Sequence, residues 1–253
     1  MPNTPAHATT CRRFSHRLNG PYHALRRTAL VNNWHLVRTA LQLATELHHG
    51  QPREAGGPYI YHPIRVTMKL WRLGIREEYI LAAALLHDVL EDCEERLDKK
   101  MLARFYAVDR RAVAIVHLLT KSRPHIAAQY FGRISRCWQA SLIKLADRAD
   151  NLATMNKFTQ ARARKYVKET RLFVMPLTVP KLNGNSHYNP ALEALHGEIQ
   201  FLTRKAEQDF SLTKVNAKQT KRQTPNITAL EAQKSGARYL PLAKPRTSAS
   251  STP

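Results

Sequence analysis

Cysteine is scarce in this sequence, acids are few and long apolar runs are missing. Each shortage removes a class of protein. The three cysteines, Cys11, Cys93 and Cys137, lie far apart and form no C-x-x-C pair. That argues against a disulfide framework or a cysteine-built zinc site, and it suits a reducing, cytoplasmic compartment. No run of about 18 apolar residues occurs, so neither a transmembrane span nor a membrane partner is expected. No apolar stretch of roughly 7–15 residues follows the early charges, so a secretory signal peptide is not expected either. An organelle transit peptide stays open, because several arginines precede the first acid, Glu46. Only 19 acids face 40 Lys and Arg, giving a formal charge of +21 over 253 residues. Such a chain attracts polyanions, whether nucleic acid, nucleotides or a ribosome. A basic balance alone does not name a specific partner, and nothing in the pattern fixes an oligomeric state.

The residues that are present build helices. Hydrophobic residues make up 43% of the chain, enough for a sizeable core. Residues 1–20 lack apolar periodicity and read as a disordered basic segment, and residues 211–253 read as a disordered basic tail. Between them, residues 21–210 form one domain. Trp34, Val37, Leu41, Ala44 and His48 fall at helical steps, and Gly50 stops that pattern. Gly and Pro mark 51–63 as a loop, and Pro63 suits the first turn of a helix running from His62 to about Trp71. Gly74 ends that helix, and Glu77 and Glu78 open the next. Further helices are predicted over Leu97–Ala107, Arg111–Leu119, Ile126–Trp138, Ala140–Met155, Ala161–Leu177 and Pro190–Phe210, with a loop over Pro180–Pro190. Strand signal is weak throughout. The fold class is all-α.

The stretch Leu81–Cys93 combines an apolar helix with His87, Asp88, Glu91 and Asp92. If the helix is continuous, these four share one side. Buried charges are normally paired or metal-bound. His62 at a helix entrance and Asp147 on a later helix complete a set of two imidazoles and two carboxylates, suited to Mn, Fe or Zn. Ligands from separate helices are a common way to build a metal site in a bundle. Such a site generates a hydroxide nucleophile near neutral pH, with Glu91 or Asp92 able to orient or deprotonate the water or to protonate a leaving oxygen. Metal-assisted phosphoester hydrolysis is the hypothesis these residues raise. Blander readings stay open at this point. Asp147 could be an ion-pair partner of Arg148 or Lys144, and His62 could be a helix-entrance residue.

Three motifs carry a resemblance: H-G-Q-P-R-E-A-G-G-P-Y-I-Y-H-P (His49–Pro63), L-L-H-D-V-L-E-D (Leu85–Asp92) and K-L-A-D-R-A-D-N-L (Lys144–Leu152). Together, from about Leu41 to Leu177, they resemble the hydrolase domain of the RelA/SpoT homologue family. The resemblance implies a helical bundle of the HD metal-dependent phosphohydrolase type. It implies hydrolysis of the 3′-pyrophosphate of ppGpp and pppGpp, usually with Mn2+. It makes His62, His87, Asp88 and Asp147 the metal ligands, and Glu91 and Asp92 the residues that activate water and assist departure. It makes Arg53 the arginine that stacks on guanine, with Asn151 and Thr154 facing the nucleoside. Three positions depart from the family's pattern. Glu54 replaces a lysine, Ala149-Asp150 replaces Leu-His, and Cys93 replaces a threonine. Glu54 keeps another phosphorylated nucleotide, such as NADPH or a nucleoside phosphate, in play as substrate. A third reading is a basic nucleic-acid or ribosome-binding module on an inactive HD scaffold.

Overall fold

A computed structural model describes residues 20–122, 124–177 and 188–212. The disordered segments expected over 1–20 and 211–253 fall almost wholly outside these residues, as does most of the loop expected over Pro180–Pro190. Among the described residues the secondary structure is helical, with a lone bridge between Pro52 and Pro58.

Two helices open the described residues. Helix α1 spans Gly20–Val31 and α2 spans His35–Leu47. Asn33 breaks them apart, with φ of 54° in the left-handed region that asparagine tolerates better than most residues. Trp34 therefore precedes α2 and packs edge-on against Trp71. Helix α3 spans Tyr61–Arg72, with Pro63 in its first turn as expected, and Gly74 terminates it at φ 95°.

Helix α4 spans Glu78–Leu86 and is the hub of the core. Every residue from Ile80 to Leu86 is fully buried, because α2, α3 and α7 (Arg110–Leu119) pack around it. A helix apolar on all sides is stable only when covered on all sides.

The chain does not continue through the acidic cluster as one helix, which corrects the sequence expectation. α4 stops at Leu86, and a four-residue helix, α5, covers Val89–Asp92. The cause is local. His87 Nδ1 donates to the Ala84 carbonyl at 2.8 Å, the group that Asp88 N–H would engage in a continuous α-helix. The turn at His87-Asp88 thus re-aims Asp88, Glu91 and Asp92.

A short 3₁₀ turn, Glu94–Arg96, leads to α6 (Lys99–Tyr106). Helix α8 (Ala127–Ile134) and α9 (Trp138–Ala153) follow. α9 is the second buried helix. It packs on α3, α7 and the last helix, α11 (Asn189–Asp209). Between them, α10 covers Gln160–Glu169 and passes into a π turn over Thr170–Val174. The sequence suggested an ordinary helix there.

Candidate active site

α9 buries four charged residues, Lys144, Asp147, Arg148 and Asp150. Burial of that kind demands partners, and each has one. Lys144 Nζ lies 2.7 Å from Asp147 Oδ2. Arg148 pairs with Glu169, donates to Thr170 Oγ1 at 3.1 Å and lies 3.9 Å over the Tyr166 ring. Glu169 ends α10 and Thr170 begins the π turn, so both reach Arg148 from that junction. Asp150 accepts from His62 and Arg65. Burial pushes the Asp150 carboxyl up, but His62 and Arg65 outweigh it and hold it at about 2.

The turn after α4 brings His87 and Asp88 to the same place as His62 and Asp147. His62 Nε2 is 3.1 Å from Asp147 Oδ1 and 3.6 Å from Asp88 Oδ2. His87 Nε2 is 3.0 Å from Asp88 Oδ2 and 3.8 Å from Asp147 Oδ1. Ligand atoms of His62, His87 and Asp147 all lie within 4.8 Å of one another and could hold a metal ion.

His87 tests that fit. Its Nδ1 carries the proton, since a carbonyl can only accept. Its Nε2 is buried without a hydrogen bond of acceptable geometry, close as Asp88 is. Burial opposes charge on this ring, but Asp88 and Asp147 outweigh it and push His87 up to about 10. Asp88 and Asp147 are themselves held well below the usual carboxylate range. Burial opposes this, and His87 for Asp88 and Lys144 for Asp147 dominate in its favour. The cluster is a field that stabilises positive charge at one buried point. A divalent cation answers the same field, displacing protons from its ligands.

Asp88 and Asp147 open onto a cleft of about 340 Å³. Its lining carries both signs of charge: Lys121, Lys144 and Arg162 on one hand, Glu91 and Asp92 beside Asp88 and Asp147 on the other. Glu91 accepts from Lys121 Nζ at 2.6 Å. Asp92 is pushed up, first by burial and then by the charge of Asp88. Tyr59 O–H donates to Asp88 Oδ2 at 2.7 Å. Arg53, from the loop, donates through Nη2 to Asn151 Oδ1 at 2.8 Å and Thr154 Oγ1 at 3.1 Å. The structure therefore brings together all nine residues singled out in the sequence, in two adjoining groups.

The profile of the HD domain matches residues 40–178. The chain belongs to the HD-domain family. It is 35% identical over 147 residues to a guanosine-3′,5′-bis(diphosphate) 3′-pyrophosphohydrolase of Aquifex aeolicus, covering 56% of this chain and 21% of that protein. It is 29% identical over 179 residues to the bifunctional (p)ppGpp synthase/hydrolase SpoT of Escherichia coli, covering 66% and 24%. A Streptomyces coelicolor protein named GTP pyrophosphokinase is 35% identical over 147 residues, covering 56% and 17%. The chain thus spans about a fifth of the length of these curated relatives. A solved structure described as a metazoan ortholog of SpoT that hydrolyzes ppGpp aligns with a TM-score of 0.50 at 23% identity, covering 71% of this chain and 97% of that one. That likeness supports the all-α HD fold.

Two blander readings of the sequence hold as well. Asp147 does pair with Lys144, and His62 does sit in the first turn of α3. Sequence reasoning missed Tyr59, Arg65 and Lys121. Arg65 had a signal, since three residues after His62 on a helix is the same face. Lys121 had none, being 30 residues from Glu91.

Proposed function

We propose that this protein hydrolyses the 3′-pyrophosphate of guanosine alarmones, converting ppGpp or pppGpp to GDP or GTP plus pyrophosphate. The observation that carries the reading is the buried His62–His87–Asp147 cluster, with half-buried Asp88 beside it, next to a cleft lined by Lys121, Lys144 and Arg162 as well as Glu91 and Asp92. The names of the bacterial relatives supply the substrate class. His62, His87, Asp88 and Asp147 would hold one divalent ion, Mn2+ by the resemblance. Such an ion supplies a bound water acidic enough to serve as hydroxide near neutral pH.

The chain's own residues do the remaining work. Glu91, fixed by Lys121, takes the proton of the attacking water. Asp92, raised by its surroundings, is poised to return a proton to the ribose 3′ oxygen as the P–O bond breaks. Lys121 and Lys144 offset phosphate charge in the cleft. Arg53 is held by one nitrogen, and a planar guanidinium so held suits stacking on guanine. Asn151 and Thr154 fix that guanidinium and face the nucleoside.

Glu54, which kept NADPH and other nucleotides in play, forms an ion pair with Arg162. Both side chains are exposed, and an exposed pair offsets its charges only weakly, so NADPH and other nucleotides stay among the substrates tested below.

The test is pyrophosphate release from ppGpp by purified protein, with and without Mn2+, alongside Asp88→Ala. Mn2+-dependent release that the substitution abolishes is expected. A folded, Mn2+-loaded protein that releases nothing would overturn the alarmone reading. Release from NADPH or another nucleotide would then take its place, and binding to RNA without turnover would favour the binding-module reading.

A further inference from the structure

Asp150 stands where the resemblance leads to a histidine, and it is 5% exposed. An extra acid so near a cluster of metal-ligand type could join it or serve it. The geometry separates the two. Asp150 Oδ2 accepts from His62 Nδ1 at 2.7 Å, whereas the nitrogen that faces Asp147 and Asp88 is Nε2. Asp150 therefore engages the opposite edge of the ring. It is itself held in place. Arg65 Nε donates to Oδ1 at 2.7 Å and Arg65 Nη2 to Oδ2 at 3.0 Å, with Arg53 Nη2 at 3.3 Å.

An imidazole ligand must present a lone pair, and which nitrogen has it is set by the hydrogen bond the other makes. With its proton on Nδ1, His62 keeps the Nε2 lone pair for the cluster. We infer that Asp150 is a positioning residue that fixes His62 in the tautomer and orientation able to bind a divalent cation, with Arg65 locking the carboxylate. A neutral imidazole at position 150 would offer one acceptor and no negative charge to the two arginines. This chain thus supports His62 with a carboxylate at a position where the resemblance leads to a histidine. The inference rests on the metal reading above.

The experiment is calorimetric titration of the full chain with Mn2+ alone, comparing the parent, Asp150→Asn and Arg65→Gln. An asparagine can turn its NH2 towards Nδ1 and force the proton to Nε2. Loss of such an outer partner costs roughly 10–100-fold in metal affinity. We expect that loss for Asp150→Asn and a smaller one for Arg65→Gln. A purely structural role would lower the metal-free melting temperature and leave the Mn2+ affinity alone. A parent that binds no Mn2+ defeats the metal reading. A parent that binds it while folded Asp150→Asn binds within about twofold defeats this inference. Should Asp150→Asn fail to fold, the ring nitrogens of the parent decide. Loaded with diamagnetic Zn2+, His62 is expected to show protonated Nδ1 by 15N NMR, and a proton on Nε2 overturns the inference.

Discussion

Lys144 illustrates how one residue serves both stability and chemistry. It is 9% exposed and 2.7 Å from Asp147. Removing one partner of a buried pair leaves the other charge uncompensated, at a cost of about 3–5 kcal/mol. Lys144→Met should therefore lower the urea stability of the metal-free protein by that order. The same substitution makes the cluster more negative, so the variant should bind Mn2+ more tightly and the stability gap should narrow when Mn2+ is added. A gap of equal size with and without Mn2+ would refute the shared-field account. Residue identity was the most legible layer of the sequence. His87, Asp88 and Asp147 could be picked out as charged residues on apolar helices and His62 as a residue at a helix entrance, while their assignment as ligands came from the resemblance. Their supports could not. Tyr59 donates to Asp88 across 29 residues and Lys121 to Glu91 across 30, and neither spacing leaves a local periodic trace.

At the scale of elements, the helices were legible and their interruptions were not. Helical period and Gly or Pro stops located α3, α7, α9 and α11 to within a residue or two. The stop at His87-Asp88 was hidden because its cause is a side-chain bond to the Ala84 carbonyl, invisible to an apolar pattern. The π turn at Thr170–Val174 was hidden likewise, since its partner Arg148 lies on another helix. Capping is easier to anticipate, and α7 offers a clean test. Asp109 caps it, accepting from the backbone N–H of Arg111 at 2.7 Å and Ala112 at 3.2 Å. Burial opposes the charge on Asp109, but the Arg111 side chain and these amides hold its pKa below 3.8. A depressed folded-state pKa contributes stability above the unfolded value and loses it as pH falls through the folded value. Asp109→Ala should cost about 1 kcal/mol at neutral pH. The difference in urea midpoint between parent and variant should shrink as pH drops from about 5 toward 3. A difference that holds constant across that range would show that the carboxylate charge is not what caps the helix.

For the molecule as a whole, charge and chemistry separate along the chain. The residues assigned to metal, water and nucleoside run from Arg53 to Thr154, on loops and helices of the packed helical body. Much of the excess charge lies elsewhere. Beyond Leu212 there are eight Lys and Arg against one acid, Glu231, and before Gly20 there are three arginines and no acid. α10 adds a basic face of its own, including Arg162, Lys165 and Lys168. Polyanion attraction is therefore expected to have a component from these segments that hydrolysis does not need. A chain limited to residues 20–212 should keep Mn2+-dependent pyrophosphate release at the rate of the full chain. Its affinity for single-stranded RNA should fall, and its salt dependence should flatten, because each neutralised phosphate contributes about −0.7 to the slope of log K against log salt for single strands. Filter binding at several salt concentrations, beside the release assay, reads both quantities. If truncation removes hydrolysis while the melting temperature holds, the terminal segments belong to the catalytic machinery. If RNA binding and its slope are unchanged, the polyanion site is on the helical body, with α10 the first place to substitute.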